Sequence, residues 1–302
     1  MLLRIRQQFI NLYLIPDFMV LLWVFAIGAA ASYAAANVLI RRGLQGSNPH
    51  ASVLVSLATN VVIMWALVIF FVPLSFFLNW KALAIFAVAG ILAPGIARML
   101  RYTSLERLGV AKSTPITSVS PLVSISIAVV FLGEKLTLPI ILGTLLIILG
   151  VIAVSQRGNI GRKDLLFALG AAFFAGVSTP IRKYGLSVLD SPVLSGVVTA
   201  SVALLIALTI IAVTGGIRQI SLKDKGTKFY IYSGVFTSMA FIFNFTALSK
   251  GAVSVVAPLI QTMPIFALFL SHFFIGHLEK ITKNVWIGTL LVVAGAVLVG
   301  AG

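Results

Sequence analysis

Apolar residues in this chain come in long unbroken runs. Ten stand out, at roughly 18–40, 51–72, 81–102, 110–132 and 138–155, then 164–184, 192–214, 229–249, 253–275 and 284–301. Each is close to the about 20 residues with which a helix crosses a hydrocarbon core about 30 Å thick. A membrane β-barrel would instead show short segments alternating between apolar and polar positions. The pattern predicts an all-α membrane protein with ten transmembrane helices. The longest polar connection, Gly215 to Lys228, leaves no room for a soluble domain. Residues 1–17 carry basic residues and an apolar patch, with no small-residue cleavage site before the next apolar run. They read as a retained amphipathic lead-in rather than a signal peptide.

The runs also repeat. Thr103, Leu105, Val110, Pro115 and Pro121 recur 143 positions later as Thr246, Leu248, Val253, Pro258 and Pro264. FLGEKLT, Phe131 to Thr137, is answered by FIGHLEKIT, Phe274 to Thr282, so that Glu134 matches Glu279. ILGTLLIILG from Ile141 is answered by WIGTLLVVAG from Trp286, and NVLIRRGL from Asn37 by STPIRKYGL from Ser178. Matched prolines, glycines and charges exceed what two unrelated apolar helices would share. The chain divides into repeats at 18–155 and 164–301, with five helices each. Five is odd, so the second repeat enters the membrane from the opposite face. The repeats are therefore expected to be inverted about a pseudo-two-fold axis in the membrane plane.

Composition narrows the classes. Hydrophobic residues make up 60% of the chain and charged ones 10%, against about 25% charged in soluble domains. There is no cysteine, and the three histidines are scattered, so no motif calls for a metal or another cofactor. The net charge is +15. The basic residues sit between apolar runs, so the lipid bilayer's headgroups, not nucleic acid, are the expected counter-charge. Loops on the side of the termini would hold seven Lys and Arg residues, and the opposite loops fourteen. The positive-inside rule then places both termini outside.

The run PITSVSPLVSISIAVVFLGEKLT, followed by an apolar helix with GTLL, resembles one EamA-type unit. Two such units in tandem resemble the ten-helix branch of the drug/metabolite transporter superfamily, over nearly the whole chain. The resemblance implies a small-molecule carrier of the inner or plasma membrane, often an exporter of amino acids, metabolites or drugs. It also implies cytoplasmic termini, opposite to the charge count, so orientation stays open. Arg41 and Arg182 are similar to a position where the family often has lysine. The second unit departs from the pattern, with two extra residues between Pro264 and Glu279.

All seven acidic residues fall at predicted helix ends or in loops. Proton-coupled carriers of cations commonly use a carboxylate within the membrane, so facilitated diffusion or exchange fits better, with proton coupling through His272 as the other route. Glu134 and Glu279 read either as gates or as caps of the following helices. Arg98 lies near the predicted end of the third helix, with Arg101 and Tyr102 close behind. It reads as an anchor for a substrate carboxylate or phosphate, or as a snorkelling side chain. Its equivalent is Phe241 and that of Arg101 is Asn244, so any anion site is asymmetric. Pro115, Pro121, Pro258 and Pro264 lie inside apolar helices, where proline removes a backbone hydrogen bond and kinks the chain. The fourth and ninth helices are therefore expected either to line a cavity and flex in gating or to be repaired by neighbouring hydroxyls. The polar candidates there are Thr117, Ser118 and Gln261. Tyr33, Asn37 and Ser178 supply polar groups in the first and sixth helices. Arg182 with Lys183 reads as a helix end. The glycines at 143, 150, 288 and 295 are read as close helix packing, within a protomer or across a homodimer.

Three function classes compete. The leading one is a secondary transporter of small molecules working by alternating access, with its cavity lined by helices one, three and four and their repeats. An intramembrane enzyme would need a catalytic pair, and Ser271 with His272 is a poor one because adjacent residues point apart on a helix. A channel or structural subunit would call for rings of like polar residues. No residue is assigned a catalytic role.

Overall fold

The computed structural model describes residues 2–133, 137–156, 161–221, 223–276 and 282–300. Among them there is no strand, and ten helices of membrane type follow one another. In the first repeat they are α1 Leu2–Gly43, α2 Pro49–Phe71, α3 Trp80–Leu108, α4 Val110–Leu132 and α5 Leu138–Gln156. In the second they are α6 Arg162–Val188, α7 Pro192–Val213, α8 Thr227–Lys250, α9 Val253–Ile275 and α10 Lys283–Gly300. The starts follow from local chemistry. Asn48 and Ser191 cap α2 and α7 with side-chain oxygens, and each cap is followed by a proline in the first turn.

Two helices end a turn or more later than their apolar stretches. The segment from Thr103 to Leu108, expected as a loop, continues α3. Its hydroxyls are absorbed locally: Thr103 Oγ1 donates to the Met99 carbonyl at 3.0 Å, and the Ser104 and Ser113 hydroxyls pair at 2.7 Å. The turn into α4 is the single residue Gly109, at φ 77°, a conformation that favours glycine. Likewise α6 continues to Val188, past the predicted end near 184.

The glycines of α5 and α10 display the symmetry. A Cβ at Gly143 would strike the Gly295 carbonyl, and one at Gly288 would lie 2.6 Å from the Gly150 carbonyl. Gly143 and Gly288 are equivalent in the repeats, as are Gly150 and Gly295. The contact is thus one pair repeated by a two-fold operation between antiparallel helices. The two repeats are inverted, and these glycines pack within one protomer. The same operation relates the long contact of α1 with α8 to that of α3 with α6, and brings α2 against α7 and α4 against α9.

Packing is inside-out relative to a soluble protein. Ala26, Ala29, Ala30 and Ala34 of α1 and Ala200, Ala203 and Ala207 of α7 are fully buried, while Val20, Leu205, Phe269 and Leu290 face outward. Small residues let backbones approach where lipid supplies no hydrophobic drive between helices. Two apolar clusters bracket the centre. One gathers Leu22, Phe86, Leu186 and Leu248 toward the side of the termini, the other Ile40, Leu57, Leu105 and Tyr230 toward the opposite side.

Candidate functional site

Three of the ten helices are broken near their middles. In α4 the break falls at Ser118 and Val119, between Pro115 and Pro121. In α9 it falls at the equivalent Gln261 and Thr262, between Pro258 and Pro264. Each second proline sits in the first turn of a new half-helix, where its missing N–H costs least. Thr117 Oγ1 and Ser118 Oγ both donate to the Thr114 carbonyl, at 2.9 and 3.0 Å. Both hydroxyls are thus spent within their own helix, on a carbonyl that the Ser118 N–H also bonds.

The third break has little signal in the sequence. Around Pro94, α3 loosens into a π-helical stretch over Ile91–Ile96, with Ala93 extended at φ −146°, ψ 125°. Such stretches free backbone carbonyls. Ser178 of α6 donates to the Ala89 and Ala93 carbonyls at 2.9 and 3.3 Å, and the Arg182 guanidinium also donates to Ala93. The second repeat thus supplies the donors for the unwound segment of the first.

Between these breaks lies a cavity of about 130 Å³, at mid-height of the helices. It is lined from α1, α3, α4, α6, α8 and α9, three helices of each repeat. Of the expected site residues, Tyr33, Asn37, Arg98, Arg101, Tyr102, Asn244 and Gln261 line it. Asn244 Nδ2 donates to the Tyr33 hydroxyl at 3.2 Å, Gln261 Nε2 to the Ser120 hydroxyl at 2.9 Å, and Asn37 Nδ2 to the Met263 sulfur at 3.6 Å. One end of the Asn244 amide and one end of the Gln261 amide have no partner.

Four candidates do not reach the cavity. Thr117 and Ser118 are spent on the break in α4. Ser178 is turned to the α3 carbonyls. His272 is exposed on the outer face, edge-on to Phe273, while Ser271 points inward. This geometry excludes a Ser271–His272 pair. Glu134 and Glu279 lie outside the described residues.

The arginines are the main correction. Although α3 continues to Leu108, ten residues or about 15 Å beyond Arg98, it is burial that decides the role of Arg98, for the side chain turns into the protein rather than out to the headgroups. It is only 7% exposed, and its guanidinium lies 5.9 Å from the ring centres of both Tyr102 and Phe241. Its Nη1 is buried without a hydrogen bond. Arg182, read as a helix end, is 6% exposed, lines the cavity, and stacks over Phe245 at 5.2 Å. Its counterpart Arg41 does sit at a helix end, donating to the Glu106 carbonyl. The two diverge because α6 runs on past Arg182 to Val188. Arg101, counted with the loops, also faces the cavity, beside Met263. Removing Arg101 and Arg182 from the loop charges takes one from each side and leaves the bias unchanged. No Asp or Glu among the described residues lines the cavity. Ser124, Thr237 and Met263 also line the wall and had no signal in the sequence.

The model of the EamA-like transporter family matches the chain twice, over residues 21–156 and 162–301. The chain belongs to that family. One EamA unit corresponds to α1 through α5 and the next to α6 through α10, so the cavity of this EamA-like protein lies between its two units. It is an integral, multi-pass membrane protein of a family of small-molecule transporters. A solved structure described only as a crystal structure of a protein shares the fold. It covers 92% of this chain and 94% of its own, with a TM-score of 0.68 at 15% identity. No curated protein matches the chain significantly.

Proposed function

We propose that this chain carries a small solute across the inner or plasma membrane by alternating access, as a uniporter or exchanger. The observation that carries the reading is the cavity itself. It sits at mid-height between inverted repeats, takes three helices from each, and touches all three broken helices. Inverted-repeat carriers use this arrangement to rock one half against the other around a fixed site. Pro115, Pro121, Pro258 and Pro264 then serve as the flexing points of α4 and α9. Uniport or exchange fits because no carboxylate among the described residues lines the cavity to carry a coupling proton. Export is the direction that the family resemblance favours.

The test is counterflow. Purified protein in liposomes preloaded with an unlabelled solute should accumulate the labelled form of that solute from a panel of amino acids, organic anions and cationic dyes. Protein that keeps its fold yet moves none of them would end the carrier reading.

A further inference from the structure

We infer that the cavity recognises a small organic dianion, such as a phosphate monoester or a dicarboxylate, through Arg98, Arg101 and Arg182. The inference rests on the cavity being the solute site. Three guanidinium groups line one small cavity, and none has a carboxylate partner among the described residues. Both ion pairs seen there, Arg107 with Asp164 and Lys250 with Asp190, lie at helix ends.

A structural duty explains only part of this. Arg182 spends one nitrogen on the Ala93 carbonyl, but its Nε is buried with no partner. Arg98 has no such duty, since its Nη1 is buried and unbonded. The rings of Tyr102, Phe241 and Phe245 beneath Arg98 and Arg182 soften the burial of charge, but a ring face accepts none of the fork of N–H donors. Guanidinium forks match the oxygens of carboxylate and phosphate bidentately. A monoanion would leave two positive charges uncompensated in a low-dielectric site. A dianion leaves one, set against the aromatic faces. The free amide ends of Asn244 and Gln261 are then available to the neutral remainder of the solute.

The experiment is counterflow at pH 7.5 by the wild-type protein with phosphate, succinate, serine and tetraethylammonium, each also tested for its shift of the thermal unfolding midpoint in detergent. Phosphate or succinate should exchange and raise the midpoint, and tetraethylammonium should do neither. Exchange of phosphate alone assigns the phosphate class; exchange of succinate alone assigns the dicarboxylates. Arg98→Gln and Arg182→Gln should each lower that exchange by roughly thirtyfold or more, with Arg98→Lys retaining part of it. His272→Phe, outside the cavity, should exchange as the wild type does. Counterflow of serine or tetraethylammonium but of neither dianion would overturn the anion site and leave the carrier standing. So would dianion exchange that survives both glutamine variants. Flux of no solute removes both readings. The wild-type measurement decides even where a variant fails to fold.

Discussion

Arg98 and Phe241 occupy the same position in the two repeats, and in the folded protein they meet, the guanidinium 5.9 Å from the ring centre. Equivalent residues can touch only close to the axis that relates them, so the axis passes through the cavity. Each occurs once there, so the site is chemically one-sided although its frame is symmetric. An arginine at the centre of a membrane helix costs roughly 2.5–3.5 kcal/mol on insertion scales. The rings of Tyr102 and Phe241 offset part of that cost, and the buried Nη1 has no hydrogen bond in the protein. The residues that missed the cavity predict the opposite behaviour. Thr117→Val removes a bond to its own helix and should change stability by about 1 kcal/mol without altering solute affinity. His272→Phe should leave the pH profile of transport as it was, because the imidazole lies on the outer face. A pH profile that changes in that variant would restore His272 to the mechanism. Arg98 was legible in the sequence as a charge inside an apolar run. Arg182 was not, since its counterpart Arg41 does end a helix and the repeat suggested that Arg182 does too.

At the scale of helices, the prolines of α4 and α9 announced their breaks at matching places. The unwinding of α3 left a weaker trace, one Pro94–Gly95 step, and what it exposes is decided by α6, which brings Ser178 and Arg182 to the freed carbonyls. The α5–α10 contact makes a sharper prediction. Any Cβ at Gly143 or Gly288 points into the facing backbone, which moves less readily than a side chain. Gly143→Ala and Gly288→Ala should each cost about 1–3 kcal/mol as overpacking, by similar amounts because the two-fold operation makes their surroundings alike. Thermal unfolding in detergent measures both. A midpoint unchanged in either variant would mean that these helices part freely.

For the whole molecule, ten helices in two inverted repeats require both termini to share one face of the membrane. The chain contains no cysteine, so single cysteines report topology directly. Gln45→Cys and Lys223→Cys, exposed in loops on one face, should be labelled from the same side by an impermeant thiol reagent. Ser75→Cys and Asp190→Cys, exposed on the other face, should be labelled from the opposite side. Labelling of Gln45→Cys and Asp190→Cys from one side would overturn the inverted arrangement, and the side that reacts fixes the orientation. By itself the sequence determined the class, the helix count, the duplication and its inversion. Those depend on hydropathy, length and parity, which are read along the chain. It also named most of the polar residues that line the cavity. Only the tertiary structure decided which of them converge, because burial at mid-height depends on where each helix ends and what crosses it. Helix ends that hydropathy set a turn or more too early made Arg98 look like a snorkelling side chain and Arg182 like a cap, and packing between the repeats placed both in the cavity.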